Sequence, residues 1–127
     1  LLQQSAPNNK IIKKTLKRRS DFLKTYKGKR VRAKHLVIYL RPNETEFHRI
    51  GVTVPKAVGS AVVRNRYKRW CREILRKEGF EKLARPLDFN IFIGNQKVKK
   101  EEFEKAQFVH FQKELSLALK QAILLFC

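Results

Sequence analysis

The stretch Arg64-Asn65-Arg66-Tyr67-Lys68-Arg69-Trp70-Cys71-Arg72-Glu73 decides how the chain is read. At about 100° per residue, Val63, Tyr67, Trp70 and Ile74 share one stripe of a helix. Asn65, Lys68, Arg69, Arg72 and Arg76 fall on the other side, and Arg64 and Arg66 flank the apolar stripe. Such a helix is anchored by one face and offers a dense cationic face to a partner. Like charges at helical spacing repel one another and weaken a free helix. A bound polyanion would relieve that repulsion. A merely solvated surface is the bland reading of any charge run. Yet Arg forks onto phosphate, and Asn can bond a base or a 2′-hydroxyl, which a solubility face does not need.

Outward from this helix the elements fall into order. Ser60 is placed to cap it, and the pattern runs to about Glu78 with Gly79 as its stop. Upstream, Val31 to Leu40 reads as one long or two short strands, and Arg49 to Val54 as a further strand ended by Pro55. The turn Pro42-Asn43-Glu44 between them suggests an antiparallel hairpin. Ser20 suits the N-cap of a short helix to Lys27, with Gly28 as its stop. Downstream, Pro86 precedes a strand from Leu87 to Ile93. A long helix from about Lys100 to Phe126 carries the stripe Phe108, Phe111, Leu115, Ala118, Leu119 and Ala122. The expectation is an α+β fold, with helices packed on a mixed sheet. Residues 1–14 read as a flexible basic arm and 15–127 as a single domain.

Composition narrows the partners. A chain of 127 residues with 43% apolar content can bury a core. Its net charge of +19 costs stability by self-repulsion and favours a polyanionic partner. Of its 30 basic residues, 12 lie in residues 10–34 and 7 in residues 64–77, where Asp21 and Glu73 are the only acids. The basic surface is therefore expected to be built by the N-terminal half of the chain, with the C-terminal third as a support. Cys71 and Cys127 are the only cysteines and form no CxxC pair, so neither a disulfide framework nor a zinc site is expected. No stretch is apolar enough to span a bilayer, and the N-terminus carries no apolar signal core. A cytoplasmic location is expected, with no membrane partner.

Phe22 and Tyr26 lie on the short helix and Tyr39 on the first strand, interleaved with Lys24, Lys27, Lys29 and Arg30. Aromatics at such spacing suit core packing. They also suit a groove in which unpaired bases stack. No Ser/His/Asp set, HExxH or phosphate-cradling glycine loop accompanies them, and the acids are too scattered for a two-metal site.

The run Arg49-Ile50-Gly51-Val52-Thr53-Val54-Pro55-Lys56-Ala57-Val58-Gly59-Ser60-Ala61-Val62-Val63-Arg64-Asn65-Arg66-Tyr67-Lys68-Arg69 resembles the protein subunit of bacterial ribonuclease P. That family shows a strand, a Lys-containing loop with Gly, and then Ala-Val-x-Arg-Asn-Arg-x-x-Lys-Arg on a helix. Asp21-Phe22, followed by Tyr26 and a Gly-basic turn, matches upstream, and element order agrees over about residues 15–120. The resemblance implies a two-layer α/β sandwich of α-β-β-β-α-β-α order, with a left-handed β-α-β crossover against the usual hand.

It also implies a partner RNA that hydrolyses precursor tRNA with Mg2+ to free the 5′ leader. The protein would not be catalytic by itself, would hold no metal, and would have no DNA partner. Carried over by position, Arg64, Asn65, Arg66, Lys68, Arg69 and Arg72 would face ribonuclease P RNA. Phe22, Tyr26 and Tyr39, with Lys56 nearby, would line the cleft for the leader of precursor tRNA. The family commonly has Ser-Lys-Lys where Pro55-Lys56-Ala57 stands here, so this loop has one cation fewer. The alternative function is a general RNA-binding or ribosome-associated module without precursor selectivity.

Overall fold

The computed structural model describes residues 13–77 and 85–126. The elements are β1 (Lys13–Thr15), α1 (Arg19–Thr25), β2 (Lys29–Arg32), β3 (Leu36–Pro42), β4 (His48–Thr53) and a 3-10 turn (Lys56–Val58). They continue with α2 (Ala61–Lys77), β5 (Leu87–Ile93), α3 (Lys100–Lys105) and α4 (Phe108–Leu124). The fold is α+β, and its five-stranded mixed sheet has the order β1-β4-β5-β3-β2.

Strand β5 takes the centre because Leu-Asp-Phe-Asn-Ile-Phe-Ile is buried almost throughout, as a strand covered on both faces must be. It pairs antiparallel with β3 and parallel with β4, so β4, α2 and β5 form a parallel crossover through the basic helix. The hairpin expected between the Val31–Leu40 region and the Arg49 strand is therefore not made. The antiparallel neighbours are β2 and β3, the two short strands into which that region divides.

Three further expectations shift. Lys13 and Lys14, the last residues of the anticipated arm, belong to β1 and pair in parallel with β4. Helix α1 starts at Arg19 with Arg18 in the cap position and no side-chain cap, so Ser20 lies inside it. The single C-terminal helix is two helices, parted where Ala106 turns to ψ 142°. Residues 1–12 of the arm and the stop at Glu78 and Gly79 lie outside the described residues. Ser60 does cap α2, accepting the Val63 amide at 3.4 Å.

One core cluster joins Leu36, Ile38, Leu40, Phe89 and Ile91 of the sheet to Tyr67, Cys71 and Ile74 of α2 and to Phe111, Leu115 and Leu119 of α4. The apolar stripe read from the sequence is thus the buried one, with Cys71 fully inside it. Burial pushes the Cys71 thiol up to about 12 and the Tyr67 phenol up to about 12.

The Tyr67 hydroxyl donates to the Phe103 carbonyl at 2.7 Å. Removing it in Tyr67→Phe should cost about 1 kcal/mol at neutral pH. Between pH 10 and about 12 only the unfolded chain has shed this proton. Tyr67's contribution is therefore complete below pH 10 and lost as pH rises through about 12. The stability gap between wild type and Tyr67→Phe, measured by denaturant melts, should narrow over that window. A gap that widened would contradict the sign.

Candidate nucleic-acid interface

The sheet face opposite the core cluster carries the row Tyr39, Asn90, Gly51 across β3, β5 and β4. Helix α1 lies over this row, and its i, i+3, i+4 spacing matches the strand spacing. The Phe22 ring sits on Gly51, where any Cβ would overlap it. The Asn90 amide donates to the Thr25 hydroxyl at 3.3 Å, and Tyr26 meets Tyr39 edge-on at 4.6 Å between ring centroids. Gly51 is thus required by close approach.

At the other end of this face Arg49 fixes α1. It grips the fully buried Asp88 through two hydrogen bonds of 2.7 Å and reaches Asp21 at 3.2 Å. The Asp88 hydrogen bond is the largest of the influences that raise the Arg49 pKa.

Two cavities border this sheet face, and α1 lines the first of them through Phe22. The first, about 730 Å³, runs along the edge of β4 past the end of β1. Phe22, Leu16, Gly51 and Val52 line one side, and Lys68, Arg72 and Arg76 of α2 line the other. The second, about 580 Å³, is floored by Val37, Tyr39, Phe92, Pro55 and Val58 and rimmed by Arg32 and Lys97. No acidic side chain lines either.

The structure therefore divides the residues anticipated for one cleft. Phe22 shares its cavity with Lys68 and Arg72, which were anticipated for a different surface. Tyr39 belongs to the second cavity, with Tyr26 against it, and Lys56 is exposed between Pro55 and Ala57 of that cavity's wall.

Asn65, Arg69 and Arg72 are exposed. Arg64 is half-buried, and its Nε donates to the Gly59 carbonyl at 3.2 Å. Arg66 is turned to protein instead, donating to the Phe103 carbonyl at 3.0 Å and the Glu104 carbonyl at 2.9 Å.

Sequence reasoning missed Phe92, whose ring lies 6.5 Å from that of Tyr39. Its signal was the alternation in β5 with Asn90, legible only once the register Val37↔Phe92 is known. It also missed Lys14, Arg32 and Lys97, and Val62, an apolar side chain 77% exposed among the cations of α2.

Glu102 and Glu114 are engaged elsewhere, around His35. Glu102 lies 3.0 Å from Lys34 and 2.9 Å from His35, and hydrogen bonds from Lys34 first and His35 second hold its carboxyl below its ordinary range. Glu114 takes the other His35 ring nitrogen at 2.8 Å. Among the described residues no group of three or more His, Cys, Asp or Glu could hold a metal ion. Among the same residues no helix is long and apolar enough to cross a membrane.

Comparisons with known proteins give the family and bear out the fold. The ribonuclease P family model matches residues 12–122. The ribonuclease P protein component of Thermotoga maritima is 36% identical over 107 residues, covering 84% of this chain and 89% of that protein. That of Clostridioides difficile is 40% identical over 92 residues, covering 72% and 80%. Among solved structures, the Thermotoga maritima RNase P protein superposes with a TM-score of 0.71 at 33% identity, over 85% of this chain and 96% of that one. A Staphylococcus aureus RNase P protein mutant gives 0.70 at 26% identity, over 85% and 86%.

Proposed function

The chain belongs to the ribonuclease P protein family, and from that membership we propose that it binds ribonuclease P RNA and the 5′ leader of precursor tRNA, promoting 5′ maturation of tRNA. The observation that carries this reading is the first cavity, where the Phe22 ring and the cations Lys68, Arg72 and Arg76 face one space. Aromatic rings hold unpaired bases by stacking, and neighbouring cations hold their phosphates. A single strand needs both within one nucleotide's reach.

In this mechanism Arg64, Asn65, Lys68, Arg69 and Arg72 face the RNA subunit, and Lys68 and Arg72, which border the first cavity, also reach the phosphates of the leader. Phe22, Tyr26 and Tyr39 hold the leader, with Lys56 at the rim and Phe92 extending the Tyr39 surface. The cationic helix offsets phosphate crowding as substrate and catalytic RNA approach each other, and so lowers the magnesium required. The RNA subunit holds that Mg2+. The carboxylates named above are committed to Arg49, Lys34 and His35, which makes them poor donors to a metal.

Phe22→Ala tests the leader assignment. One lost stacking contact contributes about 1–3 kcal/mol, a loss of roughly 5- to 150-fold. With the RNA subunit present, affinity for leader-bearing precursor should fall by that factor while affinity for mature tRNA is unchanged. Equal losses for both would show that Phe22 does not hold the leader. A wild-type protein that binds many RNAs alike, without leader preference, would favour the general RNA-binding module.

A further inference from the structure

Arg66 stands in the middle of the cationic run, but its contacts are those of an internal clamp. Its Nη2 donates to the carbonyls of Phe103 and Glu104 at 3.0 and 2.9 Å. Its guanidinium lies 5.0 Å from the ring centroid of Trp70 and 5.7 Å from that of Tyr67. Its Nε is buried and has no hydrogen-bond partner among the described residues.

Both acceptors belong to the end of α3, where carbonyls lack intrahelical partners. The Tyr67 hydroxyl reaches the same Phe103 carbonyl. Helix α3 is held from its other side through Glu102 by Lys34 and His35. Between these two attachments sits the Phe103 ring, only 2% exposed and part of the wall of the Tyr39 and Phe92 cavity.

We propose that Arg66 is a positioning residue, which ties the basic helix to the wall of the second cavity and does not itself hold an RNA phosphate. Lysine is not equivalent, because its ammonium lacks the planar, weakly hydrated guanidinium that lies over the Trp70 and Tyr67 rings while one of its nitrogens serves the two carbonyls. This rests on the leader-binding reading for its effect on substrate, but the absence of a phosphate contact can be tested independently.

The test compares wild type, Arg66→Lys, Arg66→Ala and Arg64→Ala, each bound to ribonuclease P RNA over a salt series. Arg64→Ala should make the log–log salt slope shallower by about 0.7–0.9, the share of one phosphate contact. Both Arg66 variants should keep the wild-type slope. Amide exchange at Glu102 and Phe103, whose N–H groups donate to the Lys99 carbonyl, should quicken in both. Their preference for precursor with leader over mature tRNA should fall several-fold at temperatures where every variant is folded, a ratio that simple destabilisation would leave alone.

An Arg66→Ala slope that falls as far as that of Arg64→Ala, or full recovery of leader preference and exchange by Arg66→Lys, would overturn the proposal. If wild type shows no leader preference, the functional reading fails. Slope and exchange then still decide the role of Arg66.

Discussion

Arg49→Met is expected to destabilise the protein by about 3–5 kcal/mol, the usual effect of removing one partner of a buried ion pair. The reason is Asp88. Its side chain is fully buried, and it receives two of its three described hydrogen bonds from Arg49, the third coming from the Asn43 amide at 2.8 Å. Without Arg49 a carboxylate would remain inside the sheet with one neutral donor. Helix α1 would also lose its ion pair to β4, because Arg49 is what reaches Asp21.

Asp88→Asn should cost less, since it removes the charge that needs burying. The double change Arg49→Met with Asp88→Asn should be less damaging than the sum of the singles. Urea melts of the four proteins give the coupling directly. An Arg49→Met loss below 1 kcal/mol would mean that the pair contributes little. Strict additivity would mean that the two residues do not depend on each other.

The second large effect concerns binding. Replacing Arg64, Lys68, Arg69 and Arg72 together with alanine should weaken the complex with ribonuclease P RNA by a few hundred- to a thousand-fold near 0.15 M salt. It should also make the salt slope shallower by about 3. The estimate counts one phosphate for each side chain and applies the counterion released by each contact. Misfolding is a poor rival explanation. All four lie off the buried stripe of Val63, Tyr67, Cys71, Ile74 and Leu75, and removing four positive charges from a chain of +19 relieves self-repulsion. Filter binding across salt concentrations measures both numbers. A loss under tenfold with an unchanged slope would place the RNA contact on another surface.

Local signals and distant ones were unequally legible. Helix α2 could be read because its apolar stripe, its Ser60 cap and its cations lie within one short stretch. Strand β5 could be read because five of its seven residues are apolar, three of them in the closing run Ile91-Phe92-Ile93. Its place at the centre of the sheet could not, because pairing with both β3 and β4 is a contest between strands far apart in sequence. Strand β1 has no apolar signal at all. Lys-Lys-Thr becomes a strand only because β4 offers it an edge.

The break before α4 carries neither Gly nor Pro. The stripe from Phe108 onward is correct in register, while Phe103 turns its carbonyl to Arg66 and Tyr67. The same holds for the candidate site. Its residue types were visible, but the grouping of Phe22 with Lys68 and Arg72, and of Tyr39 with Phe92, depends on the register of the sheet. The diversion of Arg66 to α3 depends on a contact 37 and 38 residues away.

Cleavage of precursor tRNA at low magnesium, with this protein alone, a bacterial ribonuclease P RNA alone, and the two together, tests the ribozyme-subunit function most directly. The function proposed here requires cleavage only with both, at the mature 5′ end. No stimulation by the protein despite tight RNA binding would contradict it, and cleavage by the protein alone would place the chemistry in the wrong molecule.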